Sequence, residues 1–219
     1  MSSHEHEHEP VAGLPEELPA GERMLWQGAP SWRALARRAL HVRKVAAYFV
    51  LLAGWHVAEV MSGGTGLVEA ARGATWLVLL GVAAVAVLAL LAWALARSTL
   101  YTITSKRVVL RFGVALPMSV NLPLKFVEAA DLRRHDDGTA DLPLTLVPRS
   151  RVGYFLTWPH VQPWHYFRVR PMLRGLPDGE AAAKALMSAL GASDAVPAAM
   201  PRPAREASVT PRPATAATA

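Results

Sequence analysis

Three groups of residues in this 219-residue chain have side chains suited to chemistry. His135-Asp136-Asp137 sets an imidazole beside two carboxylates, the parts of an acid–base pair. It adjoins Gly138 at a predicted turn, where solvated aspartates are ordinary, and the turn is the favoured reading. His4-Glu5-His6-Glu7-His8-Glu9 spaces three imidazoles by two residues and could hold a metal ion loosely. Nothing there fixes a coordination geometry, so a flexible polar tail is expected. His56, with Glu59 about one turn further on, lies inside an apolar run, where ionisable residues are functional candidates. There is no Gly-rich phosphate loop, Ser-His-Asp order or His-Glu-x-x-His motif. The chain has no cysteine, which excludes disulfides and thiolate metal sites. No catalytic residue, metal or cofactor is assigned.

Recognition chemistry is denser. Trp158, His160, Trp164, His165, Tyr166 and Phe167 crowd one segment, followed by Arg168, Arg170 and Arg174. Pro159 and Pro163 prevent a continuous central strand, so part of the segment must be loop. Some of its rings belong in a β core. Aromatic and arginine side chains on a loop make interaction anchors. Trp158, His160, Trp164, Arg168, Arg170 and Arg174 are therefore the expected partner-binding residues, with Trp164 an exposed anchor and Trp158 nearer the core.

The elements that position these residues are dominated by two apolar runs. Residues 74–96 carry no charge; about 23 residues at ~1.5 Å each reach roughly 34 Å, enough to cross a bilayer core. Residues 45–61 form a shorter run, which Arg43 and Lys44 can let span by snorkelling. The rest of the chain is too small and polar to wrap a helix that is apolar all round, so a transmembrane hairpin over 45–96 is expected. Ala83, Ala86, Ala89 and Ala92, with Gly81, would let the second span pack closely. The first span is the economical partner; a helix of another membrane protein or of a second copy of the chain is the alternative.

Charge placement orients the hairpin. Arg33, Arg37, Arg38, Arg43 and Lys44 precede the first run and Arg97 follows the second, whereas residues 62–73 hold only Arg72 and Glu69. Both termini are expected in the cytoplasm, with those six basic residues at the membrane interface. The net charge of +6 and the pI near 10.2 then reflect topology and attraction to anionic membrane lipid; no nucleic-acid partner is expected.

Outside the hairpin, residues 1–20 and 192–219 read as disordered tails. Residues 21–44 hold a short strand around Met24–Gln27 and a basic interfacial helix, Trp32–Val42, with Ser31 as its cap. Residues 97–191 change to period two. Strands are expected at 99–104, 107–112, 115–121, 126–132, 140–146, 152–156 and 166–169, making an antiparallel barrel or sandwich. A helix capped by Asp178 and stopped by Gly191 closes the domain. The fold class is an α+β membrane protein.

A hairpin, seven strands and a C-terminal helix in this order resemble the bacterial pleckstrin-homology-like domains. Leu100–Val109 resembles that family's first strand pair, usually Tyr-x-Ile-Thr-Asn-x-Arg, with Ser105 replacing the Asn. Gly21–Pro30 resembles the segment preceding its spans. The resemblance implies that Met24–Gln27 can join the sheet, which would make the hairpin an insertion within the domain. His41–Phe49, Trp158-Pro159-His160, Pro163-Trp164 and Pro171–Arg174 are similar to the photosynthetic-complex assembly proteins of purple bacteria, over most of residues 21–190. That similarity implies a non-enzymatic membrane factor whose partners are reaction-centre and core-antenna subunits. A PH-like lipid-binding or scaffold module unrelated to photosynthesis is the alternative. Antenna helices place Ala four residues before a pigment-ligating His; here Leu52 stands before His56, which favours structural anchoring over a pigment.

Topology is directly testable. Alkaline phosphatase fused after Gly66 is expected to be active, and fused after Gly138 inactive. The reverse pattern overturns the orientation, and activity at both sites removes one span.

Overall fold

A computed structural model of the chain describes residues 18–64, 66–114, 116–147, 153–165 and 168–194. Strand β1 (Met24–Gly28) leads through a short helix, α1 (Trp32–Arg38), into two long helices, α2 (Val42–Ser62) and α3 (Leu67–Arg97). The chain leaves α3 and enters β2 (Leu100–Thr104) almost at once. β1 and β2 pair antiparallel, with Gln27 opposite Thr102 and Gly28 opposite Tyr101. The hairpin is thus inserted between two neighbouring strands of one sheet, as the short link after α3 requires.

A buried ion pair reinforces that closure. Glu22 accepts from Arg107 Nε and Nη2 at 2.8 and 3.1 Å and from the Thr104 hydroxyl at 2.6 Å. Burial alone would raise the Glu22 carboxyl; the hydrogen bonds from Arg107 and Thr104 outweigh it and hold the group below its ordinary range. The turn between β2 and β3 (Arg107–Phe112) is therefore clamped by a residue that precedes both helices.

The first sheet runs β1-β2-β3-β4, with β4 at Met118–Pro123. After a 3₁₀ turn at Leu124–Phe126 come β5 (Val127–Ala130), β6 (Arg133–Arg134) and β7 (Ala140–Leu146), then a single helical turn, α4 (Tyr154–Thr157). β8 (Met172–Leu176) pairs with β7, which also carries β5 and β6. Tyr101, Ile103, Leu110, Leu144 and Leu173 fill the space between the sheets, and α5 (Gly179–Asp194) covers it with Ala182, Leu186 and Ala189.

α2 and α3 are long and apolar enough, by length and composition, to cross a membrane. Most of their apolar side chains, among them Leu51, Trp55, Val82 and Leu90, are bare. Two glycines of α3 admit side chains of α2: a methyl at Gly81 would come within 2.7 Å of Phe49 Cβ, and one at Gly73 would overlap the His56 ring. Of the alanines expected at a packing face, Ala92 is buried with Gly81, whereas Ala83 and Ala86 are exposed. Steps of three residues advance 300° around a helix of ~3.6 residues per turn, so such a stripe drifts off any one face.

Several expected elements are displaced. The basic helix does not run through Val42; it ends at Arg38, and His41 turns left-handed (φ 52°) before α2. Nor is its apolar face free to lie in an interface, because Leu35 and Ala36 pack on Ala92 and Ala96 of α3. Ser31 makes no side-chain cap; its N–H instead donates to the Gly175 carbonyl at 2.8 Å. Strand 115–121 starts only at Met118, and 126–132 shortens to β5. The strand expected at 152–156 is α4 where it is described, and residues 168 and 169 form no strand; residues 152, 166 and 167 lie outside the described residues. Two strands were not expected: the two-residue β6, and β8, whose five residues are all buried and so show no alternation. Gly175 (φ 65°) lies where the β7–β8 register shifts, the mark of a bulge. α5 continues past Gly191 to Asp194. Of the expected tails, residues 1–17 and 195–219 lie outside the described residues.

Candidate functional site

The loop after α4 turns inward at His160, which is 0% exposed. It is held at both ends: His160 N–H donates to the Thr157 carbonyl at 2.7 Å, and its own carbonyl accepts from Met172 N–H at 2.9 Å. The imidazole meets Tyr101 Oη at 2.6 Å through Nδ1 and Thr99 Oγ1 at 3.2 Å through Nε2. Directions follow from the neighbours. Thr99 donates its proton to the Leu95 carbonyl in the last turns of α3 (2.7 Å), so Nε2 carries hydrogen and Nδ1 accepts from Tyr101. Tyr101 oxygen in turn lies 3.3 Å from the Arg174 backbone N–H. A single chain of hydrogen bonds thus runs from β8 through β2 and the loop to the end of the second apolar helix.

Burial sets the charge states along it. It pushes the His160 imidazole down to about 3, and the nearby Arg174 charge acts in the same direction. It pushes the Tyr101 hydroxyl well above its ordinary range. His160 is therefore neutral, with both ring nitrogens engaged, and acts as a fastening.

Beside this chain lies a second polar group. Arg174, 5% exposed, donates through Nη1 to the Pro159 carbonyl at 2.9 Å. Burial lowers its guanidinium, against the opposing charge of Asp141. Asp141 accepts from Gly175 N–H at 2.7 Å through Oδ1 and lies 3.0 Å from His135 Nε2 through Oδ2. Asp137 faces the other way, 2.9 Å from Arg37 and 3.4 Å from Arg38. Its carboxyl is held below the ordinary range first by the Thr139 hydroxyl, then by the two arginines against burial. The sequence triplet His135-Asp136-Asp137 therefore does not converge on one point.

The expected partner surface divides. Trp158 and Trp164 are exposed, at 47% and 82%, and Arg168 is exposed with Arg170 half-buried. His160 and Arg174 are buried, below the outer surface that Trp158 and Trp164 present. Trp158 is also more exposed than its expected place near the core. Of the basic residues, Arg43 and Lys44 are exposed on the first turn of α2. Arg33 lies over the Trp32 ring and Arg97 over Trp93, at 5.5 and 5.8 Å, and Arg37 and Arg38 turn to Asp137. His56 sits against Gly73 and shares no hydrogen bond with Glu59, whose side chain is exposed. Among the described residues no three His, Asp or Glu side chains gather to hold a metal ion; His4, His6 and His8 lie outside them. Thr99, Tyr101 and Asp141 were not expected at the site. A tyrosine at an inward strand position was the available signal, since a buried hydroxyl needs a partner.

Residues 46–188 match the family model described as a bacterial PH domain, more than half of the chain, and the chain belongs to that family. β1 and α1 lie before the matched range, although β1 completes the sheet. Closer in detail, the chain is 36% identical over 194 residues to a Rhodobacter capsulatus protein described as an uncharacterized 23.7 kDa protein in the puhA 5′ region. The alignment covers 86% of this chain and 89% of that relative. No solved structure gives a significant match.

The neutral imidazole predicts a pH dependence with a definite sign. The unfolded chain takes a proton on His160 near pH 6.5, which the folded chain refuses until about pH 3. Stability is complete above about pH 6.5 and declines as the pH falls through that window. His160→Phe should cost about 1–3 kcal/mol at pH 7.5, because the hydroxyls of Tyr101 and Thr99 lose a partner. It should also flatten the decline between pH 6.5 and 4.5 by up to about 1 kcal/mol per pH unit. Unfolding of the detergent-solubilised chain measures both; equal slopes would mean that His160 is already charged.

Proposed function

We propose that this protein is a membrane-anchored, non-enzymatic assembly factor for the photosynthetic reaction centre and its core light-harvesting complex. The observation that carries this reading is the way the domain is fixed to the apolar hairpin. β1 closes the sheet across it, α1 fills the angle between α3 and β8, and the His160 chain reaches Leu95. A domain held in this manner presents a fixed face beside a membrane, which suits a scaffold for membrane subunits. The large bare apolar area of α2 and α3 supports a bilayer as its surroundings. The reading places the protein in the bacterial inner, intracytoplasmic membrane with both termini in the cytoplasm, by the distribution of Lys and Arg.

Two further facts support the photosynthetic assignment. Trp158-Pro159-His160, Pro163-Trp164 and Pro171–Arg174 resemble PuhB, the assembly protein of purple bacteria, and a 36% identical relative is described by its position beside a puh gene. The exposed Trp164 is the proposed anchor for a reaction-centre or core-antenna subunit, because a large rigid ring contributes contact area at low entropic cost.

Deletion of the gene should lower the reaction-centre and core-antenna absorption bands of the membranes several-fold. Restoring the gene with Trp164→Ala should leave the abundance of the protein near normal while recovering less complex than wild type. Unchanged bands after deletion would contradict the assembly role and favour a PH-like scaffold unrelated to photosynthesis.

A further inference from the structure

Where α1 gives way to α2, a cavity of about 180 Å³ opens between that junction and the loop after α4. Arg38, His41, Tyr154, Trp158, Trp164 and Arg174 line most of it, and no carboxylate does. Two guanidiniums share this space, and like charges at such proximity repel. Their other contacts are accounted for: Arg38 uses its Nη atoms on Asp137 and Thr139 outside the cavity, and Arg174 uses Nη1 on the Pro159 carbonyl. The Nε of each is buried and has no hydrogen-bond partner among the described residues. A buried charged donor left unpaired is costly and rare, and the two side chains that carry one both line this cavity, which no carboxylate enters, so the missing counter-charge there points to an anionic ligand.

We propose that this cavity binds the phosphate group of an anionic ligand, with Arg38 and Arg174 as the paired donors. A phosphate offers several acceptor oxygens with geometry matched to guanidinium forks, and its charge would offset the repulsion between the two arginines. The surroundings favour a lipid headgroup as its source. Arg38 and His41 stand within a few residues of the apolar stretch of α2, so in a spanning protein the cavity opens at headgroup height. The exposed Trp158 and Trp164 border the same opening, as tryptophans do at membrane interfaces. The lipid source rests on the membrane-spanning reading above; the phosphate cradle rests on the arginines alone.

The test uses the full chain in a nonionic detergent, following its unfolding midpoint during titration, since a ligand that binds only the folded state raises it. The two probes are inorganic phosphate and dihexanoyl phosphatidylglycerol. Each should give a saturable rise, with the lipid half-saturating at a concentration at least about tenfold lower. Equal or better action by inorganic phosphate would keep the cradle and assign it to a soluble phosphate. Arg38→Gln should raise the half-saturating concentration about tenfold, the loss of one charge-assisted hydrogen bond. Arg38→Lys keeps the charge but lacks the planar guanidinium fork; it should weaken binding too, and covers the case in which Gln perturbs the fold. Asp137→Asn, which loosens Arg38 from outside the cavity, should not weaken binding. No saturable rise with either probe, or unchanged titrations in both Arg38 variants, would overturn the proposal.

Discussion

The structure depends on one pairing, that of β1 with β2 across everything between Gly28 and Leu100. Closing so long a segment as flexible chain would carry a loop-entropy cost that grows with its length. Here an antiparallel helix pair returns the chain to its starting point, so the closure is made by helix packing. The glycine notches matter for that reason. Phe49 against Gly81 and His56 against Gly73 fix how α2 lies on α3, and hence where β2 begins relative to β1. Glu22 then reaches over to Arg107 and Thr104, locking the closure from its far side.

Polar groups at the junction serve the same end. Leu95 is near the end of a helix, where carbonyls lack partners within the helix. Thr99 takes that carbonyl and hands the connection to His160 and Tyr101, so the loop bearing Trp158 and Trp164 is tied to the helix end by oriented bonds. Neutral histidine suits this task, since it can donate and accept at once and its charged form is excluded by burial. Among the described residues Arg38 Nε, Gln162 Oε1 and Arg174 Nε are buried without a hydrogen-bond partner, and Arg174 joins both patterns. Its backbone belongs to the chain of bonds while its side chain, with Arg38, faces the cavity.

Much of this was legible in the sequence where a single physical signal dominates. The charge-free run at 74–96 can hardly be anything but a long apolar helix, and Arg107–Phe112 and Ala140–Leu146 fall within the bounds read from alternation and turns. The Asp136-Asp137-Gly138 turn was read correctly because turn chemistry is local. What failed needed three dimensions. Met172–Leu176 has a proline before it and Arg174 and Gly175 inside it, and it is buried throughout, so no pattern marks it as a strand. His160 and Arg174 looked like residues of an outer surface because sequence gives their chemistry without their depth. α1 looked interfacial because the alanines of α3 that cover it lie far along the chain.

Hydrogen exchange of the full chain in lipid nanodiscs tests the central closure most directly, comparing wild type with a chain lacking residues 1–30. Exchange protection reports the local free energy of opening, strand by strand. The account predicts slow exchange across β2 and β3 in wild type and a marked loss of protection there on deletion, with α2 and α3 remaining protected by the bilayer. Unchanged protection of β2 and β3 without β1 would contradict it, because the sheet would then be complete without the strand that precedes the hairpin.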